Sequence, residues 1–281
     1  MDTINKQIWL VTGVSGGLGK AIALAAAQSG HVVYGTLRQQ EQLQTFEDLV
    51  PGKTKSLLMD VTNKTEIALA MERIIQENGE LNVLVNNAGY GLIGGIEEVS
   101  ELEIRNQMET NFFGALWVTR AVLPIMRQQQ SGWILQVSSS AGFRSAAGFG
   151  IYNASKFALE GMSEALALEM RPLGVHVVIV EPGPFRTNFA GSSACFTESS
   201  ISEYDNTVGE FKRIMAEKSG TQDGDPEKAA AVILAVVKSN NPPLRLPLGK
   251  FSIAAIRNKL SEVEKDIQSY EHLTDHTSYE D

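Results

Sequence analysis

The sequence predicts an α/β protein: a doubly wound parallel sheet with helices on both faces, followed by a C-terminal helical extension. Three observations carry this. Short apolar runs alternate with helical periodicity through the first 180 residues, the mark of βαβ units. The runs are continuously apolar rather than alternating, as strands covered on both faces must be. A glycine cluster follows the first run at once, where such sheets place a ligand-facing turn. Right-handed crossovers then wind the sheet in both directions.

The elements follow in order. Ile8 to Val11 is a buried strand ending in Thr12-Gly13, and Leu18 to Ser29 is an Ala-rich helix stopped at Gly30. His31 to Thr36 is the next strand. Gln39 to Leu49 is a polar surface helix, and Pro51-Gly52 turns the chain into a strand from Lys55 to Met59. Ile67, Met71, Ile74 and Ile75 share one helix face, ended by Gly79; Leu81 to Val85 is a strand. Ser100-Glu101-Leu102-Glu103 is a capping box that opens a long helix to about Arg127, with a disturbance expected at Pro124. Trp133 to Val137 is a strand, Tyr152 to Arg171 a helix and Val175 to Val180 a strand. From Pro182 to about Asp225 the periodicity fades, which marks residues 184–224 as a substrate lid. Asp225-Pro226 starts a further helix and Leu244 to Leu248 is a last strand. Residues 250–281 form a helical extension, amphipathic from Ile253 to Tyr270, with a frayed acidic end. The whole chain, 1–281, reads as one domain.

Composition narrows the function. Of 281 residues, 43% are hydrophobic and 20% charged, ordinary for a globular chain and wrong for a disordered one. The net charge of −9 argues against nucleic acid, whose phosphates need a basic face. Cys195 is the single cysteine, so neither an intrachain disulfide nor a CxxC metal site can form. No apolar run approaches the roughly 20 residues that span a bilayer. Nor does the start, Met1 to Gln7, resemble a signal peptide, so a cytoplasmic location without membrane attachment is expected.

The chemistry gathers at the strand ends. Gly13, Ser15, Gly17, Leu18 and Gly19 join the first strand to its helix with spacing Gly-x-x-x-Gly-x-Gly. Glycine lets backbone approach a phosphate, and the helix N-terminus offers free N–H groups and its positive dipole end. The end of the second strand carries Thr36 rather than a carboxylate, with Arg38 two residues on. A guanidinium pairs with a 2′-phosphate, so NADP (NADPH) is expected over NAD. Tyr152 and Lys156 stand at i and i+4 on one helix face, and Ser138-Ser139-Ser140 follows the fifth strand. Reducing a carbonyl needs a proton donor at its oxygen. A free phenol titrates near pH 10, and a neighbouring ammonium should lower that value. A serine hydroxyl can hold the oxygen.

Taken together these motifs resemble the short-chain dehydrogenase/reductase family over about residues 7 to 190. The resemblance implies a Rossmann-type sheet and an oxidoreductase that interconverts a ketone or aldehyde and an alcohol by hydride transfer. It implies a catalytic set of Asn111, Ser139, Tyr152 and Lys156, with Ser138 the near alternative to Ser139. It assigns Asp60 and Val61 to the adenine ring, Asn87, Ala88 and Gly89 to the adenine-ribose side, and Pro182, Gly183 and Thr187 to the nicotinamide end. Lys156 would also hold the nicotinamide ribose, with Tyr152 beside it, and Asn111 would support a proton relay. A homodimer or homotetramer is the assembly it implies. The family's known substrates range too widely to choose one. A cofactor-sensing protein without turnover, or an epimerase or dehydratase, would fit the fold; the intact catalytic set and the short C-terminal part weigh against them.

Other features carry less. His272 and His276 have metal-ligand spacing but no third ligand, so no metal is expected. Phe143, Phe149, Phe185, Phe189 and Phe196 bracket the site region and could line an apolar substrate pocket.

Overall fold

The computed structural model describes residues 6–187, 189, 194–218 and 220–279. In chain order the main elements are β1 (Ile8–Val11), α1 (Gly17–Gln28), β2 (Val32–Leu37), α2 (Leu43–Glu47), β3 (Thr54–Leu58) and α3 (Lys64–Asn78). Then come β4 (Val83–Asn86), β5 (Gly91–Ile93), α4 (Glu101–Met108), α5 (Ala115–Gln129), β6 (Gly132–Val137), α6 (Gly150–Met170) and β7 (Val175–Pro182). The last are β8 (Ala194–Phe196), α7 (Glu210–Glu217), α8 (Pro226–Val237), β9 (Arg245–Leu248) and α9 (Lys250–Thr274).

Seven parallel strands form the main sheet in the order β3-β2-β1-β4-β6-β7-β9. The reversal of winding falls between β1 and β4, so the crevice of a doubly wound sheet opens there. β1 shows why the strand runs are unbroken. Its Trp9 and Val11 point into the core shared with α1 and α8, while Ile8 and Leu10 point into the core shared with α3, α5 and α6. Both faces are dry, so no polar residue is tolerated on either.

Local chemistry sets the helix ends. Asn63 and Asp225 each accept two backbone N–H groups at an N-terminus, Ser100 and Glu103 form the expected capping box, and Gly79 ends α3 at φ 75°. Pro124 sits inside α5 without breaking it. The long helix is disturbed elsewhere, by a π turn at Glu109–Gly114 between α4 and α5. One extra residue is accommodated there because Asn111 turns inward onto the backbone of Tyr90, while Gly114 lets Val61 approach to where a Cβ would stand 2.6 Å from its methyl.

The segment after β7 is more regular than its sequence predicts. β8 pairs in parallel with β5, and α7 follows. Its two ends close on each other: Phe185 bridges Gly224, and Arg186 N–H donates to the Gly224 carbonyl at 2.8 Å. Glu98 clips the middle, accepting from Lys212 Nζ at 3.0 Å and Ile201 N–H at 2.9 Å. Asn188, residues 190–193 and Ser219 of the expected lid lie outside the described residues, as do the last two residues of the extension. α9 is one helix that starts before Ile253 and passes Tyr270.

Candidate active site

A cavity of about 1710 Å³ opens at the carboxyl edge of the main sheet. It is larger than the ~300–1,000 Å³ that holds one small ligand. It has room for a dinucleotide and a second molecule.

One end is built from β1, β2 and β4. Thr12 Oγ1 accepts from the N–H groups of Asn87 and Ala88 at 2.9 Å each, and Asn87 Nδ2 donates to the Thr12 and Gly13 carbonyls. Thr36 Oγ1 accepts from Gly13 N–H at 3.0 Å. These bonds lock the glycine turn against its neighbours. Gly13 and Gly17 have φ of 72° and 57°, and a Cβ on Gly17 would stand 3.3 Å from Thr187. The cradle is therefore backbone, shaped to take a phosphate at the start of α1. Gly13, Ser15, Gly17, Leu18, Arg38, Asp60, Val61, Asn87, Ala88, Gly89, Pro182, Gly183 and Thr187 all face the cavity. Gly19 lies behind this wall, where a Cβ would come within 2.3 Å of Asn87 Nδ2. Its geometry is that of a close-packing position. Arg38 is exposed on the wall, at the mouth beyond β2.

The other end is built from β6, α6 and β7. Ser139, Tyr152 and Lys156 face the cavity together. The Tyr152 phenol lies between Phe149 and Phe189, with ring centroids at 4.8 and 5.6 Å. Burial pushes its pKa up to about 12, and a hydrogen bond with Ser139 opposes the rise. Lys156 Nζ sits 5.9 Å from the Tyr152 ring centre and donates to the Val137 carbonyl at 2.8 Å. Burial brings Lys156 down to about 8, with the Glu160 charge pulling the other way. For the phenol burial is the dominant influence, and Lys156 directs one N–H of its ammonium to the Val137 carbonyl. Asn111 stands behind the wall, donating to the Tyr90 carbonyl at 2.9 Å and to Ser155 Oγ at 3.3 Å.

Ser138 is not interchangeable with Ser139. It also borders the cavity, but its hydroxyl donates to Glu160 Oε1 at 2.5 Å. Glu160 opens a cluster that sequence reasoning missed. Arg245 donates to Glu160 at 2.6 Å and to Glu164 at 2.7 Å, contacts Glu181, and packs on Phe143 with its guanidinium 5.0 Å from the ring centre. Burial raises Glu160, and it pushes Glu181 up to about 7 with help from the Glu160 charge. Burial works against the Arg245 charge, but the surrounding carboxylates outweigh it and hold its pKa above the ordinary value. The available signals were a glutamate four residues after Lys156 and another at the end of an apolar strand.

The five phenylalanines divide. Phe149 and Phe189 flank Tyr152, Phe185 packs on the core, Phe143 meets Arg245 and Phe196 is exposed. His31 stacks on Trp9, and His176 packs against Trp133 with the rings tilted by 35°. No metal-ligand cluster is found among the described residues, and no helix there is long and apolar enough to cross a membrane.

The family model for short chain dehydrogenases matches residues 7–195. A 3-ketodihydrosphingosine reductase of Bacteroides thetaiotaomicron is 41% identical over 86% of this chain and 88% of its own length. A solved short-chain dehydrogenase from Streptomyces avermitilis is 39% identical, covers 98% of this chain and 100% of its own, and superposes with a TM-score of 0.92. A serine dehydrogenase solved with NADP+ is 28% identical, covering 86% of this chain and 94% of its own, with a TM-score of 0.74. The chain belongs to the short-chain dehydrogenase family, as the sequence motifs implied; it is an oxidoreductase acting between alcohol and carbonyl groups with a nicotinamide cofactor.

Proposed function

We propose that this family member is an NADP-dependent carbonyl reductase, running as an alcohol dehydrogenase in reverse, on an apolar substrate. The observation that carries the reading is a buried phenol, Tyr152, held beside Ser139 on the wall that continues into the glycine cradle. Gly13, Ser15, Gly17 and Leu18 would hold the pyrophosphate. Asp60, Val61, Asn87, Ala88 and Gly89 would line the adenosine side. Pro182, Gly183 and Thr187 would receive the nicotinamide. The glycine turn supports this fit, because side chains at Gly13 and Gly17 would be strained and would meet Ala88 and Thr187. When bound, the reduced cofactor, NADPH, would supply the hydride for reduction, and the oxidised form, NADP+, would accept it in the reverse direction. Arg38 supports NADP over NAD, since no carboxylate ends β2 to repel a 2′-phosphate.

The protein's own residues handle the proton. Ser139 donates to the carbonyl oxygen and fixes it against the Tyr152 hydroxyl. Tyr152 gives its proton to that oxygen in reduction. A pKa pushed up to about 12 keeps the proton in place until charge develops on the oxygen. In oxidation Tyr152 is the base, and it then needs positive charge nearby. Lys156 is placed to supply part of it and to hold the nicotinamide ribose, and Asn111 supports the return of the proton. Phe149 and Phe189 exclude water from the oxygen and favour an apolar substrate. The similarity to a reductase of a long-chain ketone points the same way. Residues 184–224 act as the lid, the site works in the cytoplasm, and neither nucleic acid nor membrane takes part.

The test is NADPH oxidation against ketones of rising chain length, with NADH in parallel. Turnover that improves with chain length and prefers NADPH is expected. No turnover of any ketone or aldehyde overturns the reading.

A further inference from the structure

α9 is anchored at its start and bare beyond it. Ser252 and Ala255 are buried against the body, and Ser252 Oγ donates to the Glu181 carbonyl at 2.7 Å. From Leu260 onward every described residue of the helix is exposed. Fifteen residues at 1.5 Å each make an arm about 22 Å long. Its surface is not uniformly polar. Ile253, Ile256, Leu260, Val263, Ile267 and Tyr270 recur at alternating spacings of three and four, the a and d positions of consecutive heptads. Leu260 is 55% exposed and Ile267 52%. An apolar stripe this long, standing in water, marks a surface that another surface covers.

We infer that the stripe pairs with the same helix of a second copy, antiparallel, about a two-fold axis near residues 261 and 262. The charges choose this partner and this register. In an antiparallel pair a positions meet d positions, so Leu260 lies against Val263 of the second copy, Ile256 against Ile267 and Ile253 against Tyr270. The flanking positions then bring Arg257 to Glu264 and Lys259 to Asp266, each pair twice by symmetry. Sliding the pairing outward by one heptad sets Glu264 against Glu264 and Asp266 against Asp266. Parallel pairing sets Asp266 against Glu271. Only the first register has opposite charges throughout. A lipid surface is a poorer occupant. An interfacial helix carries Lys and Arg on its polar face. Here Glu262, Glu264, Asp266, Glu271 and Asp275 face a lone Lys265 over residues 260 to 275.

The experiment is sedimentation velocity of the full-length protein across concentration. The wild type should sediment as a dimer or a multiple of it, and Leu260→Glu with Ile267→Glu should halve the mass. Both substitutions fall on the free arm, so circular dichroism and thermal melting should match the wild type. Arg257→Glu and Glu264→Arg should each weaken the association roughly 2- to 30-fold, as expected for two exposed ion pairs, and together restore it. A mass unchanged by the double glutamate variant overturns the proposal, as does a monomeric wild type. Failure of the charge swap to restore association overturns the antiparallel register. Flotation with phosphatidylcholine–phosphatidylserine vesicles, lost in the glutamate variant, would assign the stripe to lipid instead.

Discussion

At the β1–β4 end of the cavity the glycine turn is held by backbone and three short polar side chains, Thr12, Thr36 and Asn87, joined over 2.9 to 3.0 Å. At the β6–β7 end the wall is Ser139, Tyr152 and Lys156, with Phe149 and Phe189 enclosing Tyr152, and a charge cluster in which Arg245 reaches back to Glu160 stands behind it. The first end carries Asp60 and Arg38 as its charged side chains. The second holds Tyr152, Lys156, Glu160 and Glu181, all with pKa values moved by burial. Under the proposed function the difference becomes a division of labour. A cofactor shared by many reactions is met by fixed shape, whereas proton transfer needs groups whose charge can be adjusted by their surroundings.

The largest expected effect strikes the second end alone. Tyr152→Phe removes one hydroxyl, so folding and NADP affinity should be preserved while kcat falls about 10²- to 10⁴-fold. Steady-state kinetics and a cofactor titration on the same preparation check it. A variant that keeps more than half of its kcat, or loses cofactor affinity in step with rate, would erase the division between the ends.

Arg245→Leu probes what holds the second end in shape. It leaves Glu160 and Glu181 buried without their cation, and removing one partner of a buried pair costs about 3–5 kcal/mol. Denaturant unfolding should show that loss with the m-value unchanged. A loss below about 1 kcal/mol, the range of an exposed pair, would make the cluster a surface ornament.

Arg38→Ala is the matching change at the first end. A charged hydrogen bond contributes about 1.5–3 kcal/mol, so NADPH affinity should fall roughly 10- to 150-fold while NADH affinity holds. Equal weakening of both cofactors would remove the assignment of Arg38 to the 2′-phosphate.

A smaller effect follows from Glu181. Burial raises its pKa from 4.5 to about 7, so between those values the folded state binds more protons than the unfolded state. Stability from this group is greatest at low pH and is lost as pH rises from about 4.5 to about 7. Glu181→Gln should flatten that part of the melting curve against pH. An unchanged slope would place the titration elsewhere.

The same division governs what the sequence made legible. The strands, the capping box at Ser100, the cap at Asp225 and the glycine turn were readable because each depends on residues within a few positions. Of the cavity lining at the first end, the glycine turn and Arg38 were readable in this way, whereas Asp60, Val61, Asn87, Ala88 and Gly89 were implied only by the family resemblance. The pairing of Gly91–Ile93 with Ala194–Phe196 was not, since a three-residue strand has no period and its partner lies about a hundred residues away. Nor was the π turn at Asn111, which exists because a side chain reaches Tyr90 across the fold. The Arg245 cluster joins α6, β7 and β9, and only the folded sheet makes those three adjacent.

The segment from Pro184 to Gly224 belongs to neither end and tests whether the second one closes. Its neck is fixed by the Phe185–Gly224 bridge and by Arg186, whose Nε donates to the Gln222 carbonyl at 3.1 Å. Between these points the described residues are tied to the body by β8 on β5, by Thr197, Ile201 and Lys212 on Glu98, and by Tyr204 on Glu97. Phe189 reaches from it to Tyr152, and Phe211 of α7 meets Phe149 at 4.7 Å. A bound apolar substrate would rest between those rings and add contacts that the segment lacks alone. Under the lid proposal, opening would be a local event with its own small free energy, set by the exposed bonds that hold the segment. Adding NADP and an apolar alcohol should therefore slow hydrogen exchange in residues 194–218 while β1, β4 and β6 change little. Exchange that is equally slow with and without ligands would show the segment to be permanent wall, and substrate would then have to enter past the β1–β4 end.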